Sequence, residues 1–152
     1  MDGDIVGHRG LGNDTVYPVS GTALMPTDVC FVDLAFFYST LKVNPDFLYQ
    51  LMMFFASELK ESEKRMRNLA HMTVKGRIAN ALLFLRQKFG TTNEGHIDIL
   101  ISWQDMASYT GTTYETLFRI MNELTEEKAI RADGKNISII REDILYDYTK
   151  TE

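Results

Sequence analysis

Residues 102–124 read SWQDMASYTGTTYETLFRIMNEL, and this stretch decides the fold. Ser102 is a good helix N-cap, and Trp103 to Tyr109 reads as a short helix behind it. Gly111 turns the chain. Thr113 caps a second helix that runs to about Lys128. In that helix Leu117, Ile120, Met121 and Leu124 recur at spacings of three, one and three, which gathers them on one inward face. Tyr114, Glu115, Phe118 and Arg119 fall outside it. Two helices crossed by a tight glycine turn make a helix-turn-helix. The first residues of its second helix are the ones that reach base edges when such a helix lies in the major groove of DNA.

The side chains there suit that task. Arginine can donate two hydrogen bonds to guanine O6 and N7, and glutamate can accept one from cytosine N4. Glu115 and Arg119 stand at i and i+4, close enough to orient each other and to share adjacent base pairs. An exposed ion pair at this spacing is also common on helices that bind nothing, and it is worth only roughly 0.2–0.5 kcal/mol. The pair gains meaning from its place behind the turn.

The flanking elements complete the motif. Thr73 caps a helix over Val74–Phe89, with Ile78, Ala81, Leu82 and Leu85 on one face and Gly90 at its end. HIDILI, residues 96–101, alternates as a strand does. AIRADGKNISII predicts a hairpin, with Ile130–Ala132 paired to Asn136–Ile140 around an Asp133-Gly134 turn. Helix, strand, helix, turn, helix and hairpin make a winged helix-turn-helix. The acidic tail beyond Arg141 has room for one or two helical turns.

Upstream, LAFFYSTLK (34–42) reads as a short apolar helix. Asn44 and Pro45 then cap and start a helix that nothing breaks before about Met72. Leu48, Met52, Phe55, Leu59, Ser62, Met66, Leu69 and Thr73 follow the 4-3 spacing of a coiled-coil seam over more than three heptads. The reading is a parallel homodimer, with polar Ser62 fixing register. Leu51 and Phe54 add a second stripe that packs on the preceding segment.

Residues 1–33 are rich in Gly, Pro, Thr and Val. Three short β-type runs, Asp4–Val6, Val16–Val19 and Val29–Val32, read as strands, too few for an independent sheet. The single cysteine, Cys30, lies in the apolar run VCFV, which reads as a buried core position. One thiol makes no intrachain disulfide and holds no metal alone. His8, His71 and His96 are scattered without catalytic or ligand spacing, so neither an enzyme nor a metal or other cofactor is expected. No basic-then-apolar leader and no apolar run of membrane-spanning length is present, which predicts a cytoplasmic protein without membrane partners. The net charge of −5 is uneven: residues 73–141 hold nine Lys/Arg against eight Asp/Glu and form the least acidic segment.

GDIVG, VNPDFLYQLM, NLAHMTVKGRIANALLFL, SWQDMASYTGTTYETLFRIMNEL and DGKNISII occur in this order from Gly3 to about Arg141. In this the chain resembles the Crp/Fnr transcription regulators of bacteria. The most specific matches are VKGRIA with its following LL, and the ETxxR pattern of the second helix. The resemblance implies an α+β, mostly α fold in three parts. These are a partial β-roll remnant of a cyclic-nucleotide-binding-like sensor domain (1–44), a long dimerisation helix (45–72) and a winged helix-turn-helix DNA-binding domain (73–152). It implies base reading by Glu115 and Arg119, with Tyr114 and Phe118 on the same helix and Tyr114 standing where catabolite-activator-like members have an arginine. It implies phosphate contacts from Lys75, Gln104, Thr113, Thr116 and Lys135; Trp103 matches a further phosphate position but offers only an indole N–H. Thr73 matches the hinge.

The expected function is a homodimeric regulator on a pseudo-palindromic site in double-stranded DNA. RNA polymerase is a candidate protein partner, and the small-molecule effector is unspecified. Cyclic AMP is argued against, because Val19-Ser20 occupies the place of the Arg-Ser pair that holds the cyclic phosphate. The chain reads as starting partway through the sensor. The competing reading is a winged-helix protein-interaction module on a coiled-coil scaffold, which the near-neutral charge of 73–141 favours.

Overall fold

The computed structural model describes residues 5–12, 16–17, 20–23 and 26–150. The chain divides into two compact units, Met1–Phe31 and Val32–Glu152. In the second, α1 (Leu34–Val43), α2 (Pro45–His71), α3 (Val74–Phe89), α4 (Trp103–Thr110) and α5 (Tyr114–Glu126) precede a hairpin. The hairpin is β1 (Ile130–Asp133) with β2 (Asn136–Ile139), and α6 (Glu142–Thr149) follows it.

Local chemistry sets the helix starts. The side chains of Asp33, Asn44, Thr73, Ser102 and Thr113 each accept a hydrogen bond from the backbone N–H three residues on. Each satisfies one of the donors a helix leaves open at its start. Pro45 occupies the first turn of α2, where its missing N–H costs nothing. Gly90 and Gly111 end α3 and α4 at positive φ, 77° and 63°.

One core joins α3, α4, α5, the hairpin and α6. Ile78, Leu82, Met106, Leu117, Met121, Leu124, Ile130 and Leu145 are fully buried in it. The acidic tail therefore contributes to the fold: α6 lies along α3, with Leu145 in the core and Glu142 paired to Arg86. At Gly76 the two come close: a Cβ there would sit 2.4 Å from the Tyr148 carbonyl oxygen. Gly76→Ala is expected to push α6 off α3 and destabilise the domain by about 1–3 kcal/mol. Urea unfolding monitored by circular dichroism measures this, and an unchanged midpoint would refute the contact.

Three expectations need correction. First, the described residues of the runs at 4–6, 16–19 and 29–32 form no strand; Asp4, Pro18 and Val19 lie outside the described residues. Instead His8–Gly10 makes one 3-10 turn, and the Tyr17 hydroxyl donates to the Gly7 carbonyl. A strand needs a ladder partner, and among the described residues no strand pairs with these runs. Cys30 is accordingly exposed rather than buried, as are Val29, Phe31 and Val32.

Second, 96–101 is not a continuous strand. Ile97 makes one antiparallel bridge to Thr91, and its N–H donates to the Ile137 carbonyl at 2.8 Å. The Ile99 N–H turns back onto the Ile97 carbonyl, also at 2.8 Å, and breaks the extension. The alternation still buries Ile97 and Ile101. Third, Asp133 pairs with Asn136, so the hairpin turn is Gly134-Lys135, one residue later than expected. Gly134, at φ 58°, supplies the positive φ that a two-residue turn demands.

Helix α2 spans 27 residues and buries only Leu51. Its first turns pack on α1, where Phe37 and Phe47 meet edge to face at 5.9 Å. Of the seam residues, Leu48, Met52, Leu59, Met66 and Leu69 are each at least half exposed, whereas Phe55 and Ser62 are partly covered. A ridge of Leu and Met therefore runs along α2 facing water.

Candidate nucleic-acid interface

The turn between α4 and α5 is locked from inside. The Thr112 N–H donates to the Ala107 carbonyl at 3.0 Å, and the buried Thr110 hydroxyl donates back to Met106 at 2.8 Å. Arg77, on the first turns of α3, holds the turn from outside. Its guanidinium donates to the carbonyls of Thr110 (2.8 Å), Gly111 (3.0 Å) and Met72 (3.1 Å). The end of α2 and the end of α4 are thus tied to one side chain. The sequence reading did not single out Arg77. Its signal was the VKGRIA motif, which carried no role for the arginine.

Beyond the turn, α5 is sharply two-sided. Leu117, Ile120, Met121 and Leu124 are buried, and Tyr114, Glu115, Phe118 and Arg119 are exposed. Thr113 caps the helix with its hydroxyl and is exposed, Thr116 is half-buried and Gln104 is exposed on α4. Lys135 projects from the wing turn and is exposed. Contacts of Trp103 bring the start of α4, the second turn of α5 and the wing turn together. Trp103 is packed rather than standing free. Its ring lies 5.4 Å from that of Phe118, and its indole N–H donates to the Gly134 carbonyl at 3.0 Å.

Two placements differ from the sequence reading. Arg119 pairs with Glu123, one turn further on, and not with Glu115. The reason lies on a neighbouring helix: the other Glu123 oxygen is 3.4 Å from Lys75, which holds the carboxylate beside Arg119. Lys75 itself is enclosed by the protein. Its ammonium lies 2.7 Å from Glu127 and 4.5 Å above the Tyr148 ring, and the side chain is only 20 % exposed. It joins α3, α5 and α6.

Burial acts to lower the Lys75 pKa, but hydrogen bonds to Glu127 and Tyr148 outweigh it, and the pKa stands above the ordinary lysine value. The Glu127 carboxyl is held below its usual value by the bond from Lys75. A depressed carboxylate stabilises the fold above its unfolded pKa, and this is lost as pH falls through the folded pKa. The raised lysine stabilises below its unfolded pKa, and this is lost as pH rises through the folded one. The pair therefore contributes across the neutral range. Because Glu127 is 36 % exposed, screening keeps the expected loss in Glu127→Gln to about 0.5–1 kcal/mol at pH 7. The loss should shrink as the pH drops below the carboxylate range. Thermal unfolding at pH 3 and pH 7 checks it, and an equal loss at both would refute the assignment.

Among the described residues no three or more His, Cys, Asp or Glu side chains cluster to hold a metal ion. No described helix is long and apolar enough to cross a membrane. The arrangement offers a rigid helix end with an acid, a base and two aromatic rings, flanked by hydroxyl, amide and ammonium donors.

Comparison with known proteins agrees with this architecture. The family description of the Crp-like helix-turn-helix domain matches residues 76–148. A "Probable transcriptional regulator flp" of Lacticaseibacillus casei is 30 % identical over 146 residues, covering 96 % of this chain and 65 % of that protein. The "cAMP-activated global transcriptional regulator CRP" of Salmonella typhimurium is 31 % identical over 142 residues, covering 90 % and 66 %. The chain belongs to the Crp/Fnr family. This is a family of transcription regulators, not of enzymes.

As a Crp/Fnr chain it spans about 65 % of the length of these curated relatives. Among solved structures, FixK2 from Bradyrhizobium japonicum superposes with a TM-score of 0.70 at 21 % identity, over 80 % of this chain and 61 % of that one, which speaks for the fold. A CRP/FNR family transcriptional regulator from Thermus thermophilus gives 0.64 at 26 % identity, over 70 % and 55 %. The Crp/Fnr assignment covers α3 to α6 directly, the elements that build the helix end described above.

Proposed function

We propose that the chain is the DNA-binding and dimerising part of a transcription regulator that reads a pseudo-palindromic site. The observation that carries this is the two-sidedness of α5. One face is sealed in the core, and the other presents Glu115 and Arg119 to solvent, with Gln104, Thr113 and the wing residue Lys135 also exposed and Thr116 half-buried. Glu115 and Arg119 read a G·C pair. Gln104, Thr113, Thr116 and Lys135 bond phosphates and fix register. Lys75, enclosed by two carboxylates, supports α5 instead of reaching the backbone.

Residues 1–44 belong to a sensor, 45–72 to the dimerisation helix and 73–152 to the DNA-binding domain. The water-facing ridge on α2 supports dimerisation, because exposed apolar surface of this kind gains by pairing. In such a dimer the two α5 helices enter successive major grooves on one face of the duplex. Half-site centres then lie about 10–10.5 base pairs apart. The Salmonella relative is named for activation by cAMP. This chain has Val19-Ser20 at the expected phosphate position, so its effector is of another kind, and titration calorimetry with cAMP should give no saturable heat. RNA polymerase is the protein partner that a regulator of this sort would contact.

Selection of bound duplexes from a random pool at two salt concentrations tests the reading. The expected result is an inverted repeat at that spacing. Recovery of a single half-site, freely varying spacing, or no preferred sequence would refute it; the last outcome would favour a protein-binding winged helix.

A further inference from the structure

We propose that Phe118 reads the 5-methyl group of a thymine next to the G·C pair read by Arg119, clamped for that purpose by Trp103 and Tyr114. This rests on the DNA-binding function proposed above and adds a second, apolar element to the recognised sequence.

Phe118 precedes Arg119 on the outward face of α5 and is 46 % exposed. Its ring is not loose. It stacks on Tyr114 with centroids 6.4 Å apart and planes 24° apart, and it leans on Trp103 at 5.4 Å and 45°. Trp103 is fixed in turn by its indole bond to Gly134 in the wing turn. Rings from α4 and α5 thus hold one phenyl ring near the start of the reading helix, and the hairpin holds the α4 ring in turn. A ring held by its neighbours has little rotamer freedom left to lose on binding.

The chemistry then selects the target. A phenyl ring has no polar hydrogen to donate and no lone pair to accept with, so it cannot form the hydrogen bonds that tell guanine, cytosine or adenine apart. Of the four bases, only thymine presents an apolar group in the major groove, its 5-methyl. The other role open to Phe118 is that of a lid over Trp103, with no part in recognition.

The two roles separate by experiment. The full chain is first used to select its half-site. Each thymine in that site is then replaced singly by deoxyuridine, which deletes the methyl and keeps the pairing. At one position per half-site the wild-type chain should bind about fourfold more weakly, the factor for removing one methyl-sized group from an apolar contact. Phe118→Ala should lose that thymine-to-deoxyuridine ratio, Phe118→Leu should keep most of it, and Arg119→Ala should keep it on whatever DNA it still binds. The ratio is taken within one protein sample, so a change in folded fraction does not move it. A half-site that contains G·C but ignores every methyl overturns this proposal and leaves the DNA function standing. So does a ratio that persists in Phe118→Ala. A chain that selects no sequence at all overturns both.

Discussion

Arg119→Ala should weaken binding to the selected site by about 1–3 kcal/mol per half-site, roughly five- to 150-fold, and relax preference at one base pair. In the free protein the guanidinium is paired with Glu123, and 64 % of the side chain is exposed. Releasing it costs little, since exposed pairs of this spacing are worth about 0.3–0.5 kcal/mol. Lys135→Ala offers the contrast. If its ammonium meets phosphate as proposed, its loss should weaken all sequences alike and flatten the salt dependence by about one unit of slope. Fluorescence anisotropy on the selected site and on scrambled DNA, at several salt concentrations, reads both. If Arg119→Ala lowers affinity equally for every sequence, the arginine contacts phosphate and the base-reading role is wrong.

The second large effect is expected at Leu59, in the middle of the ridge on α2 and 61 % exposed. Leu59→Glu would set two carboxylates against each other at the centre of a parallel seam. The dimer should be lost at micromolar concentration, as sedimentation velocity would show. The winged domain should stay folded, because its core lies in α3 to α6. DNA affinity should fall with the dimer, since each protomer would hold only one half-site. A Leu59→Glu chain that sediments as a dimer would remove α2 as the interface.

The sequence was most legible where structure is decided within a few residues. Asn44, Thr73, Ser102 and Thr113 are short polar side chains that cap the helix beginning next to them, and all four do so. Gly111 ends its helix because it reaches a backbone region other residues avoid. Legibility failed where the partner is remote. Val29–Val32 has the composition of a strand, but a strand exists only beside another, and no nearby residue records that.

The candidate interface shows the same division. That Glu115, Phe118 and Arg119 face outward follows from the helical period, and they do. That Glu123, rather than Glu115, receives Arg119 depends on Lys75, 48 residues from Glu123 in the chain. The role of Arg77 could not be read for the same reason, since the turn it grips lies 33 and 34 residues away.

That grip has a mechanical meaning. A guanidinium is flat and stiff, and its N–H bonds leave at fixed angles. The three carbonyls on it belong to Met72, which closes α2, and to Thr110 and Gly111, which close α4. They behave less like three joints than like points on one small plate. If the end of α2 swings, the plate must tilt or tear, and the turn in front of α5 feels it either way. Lysine, with one mobile ammonium, could grip a carbonyl there but could not transmit an angle.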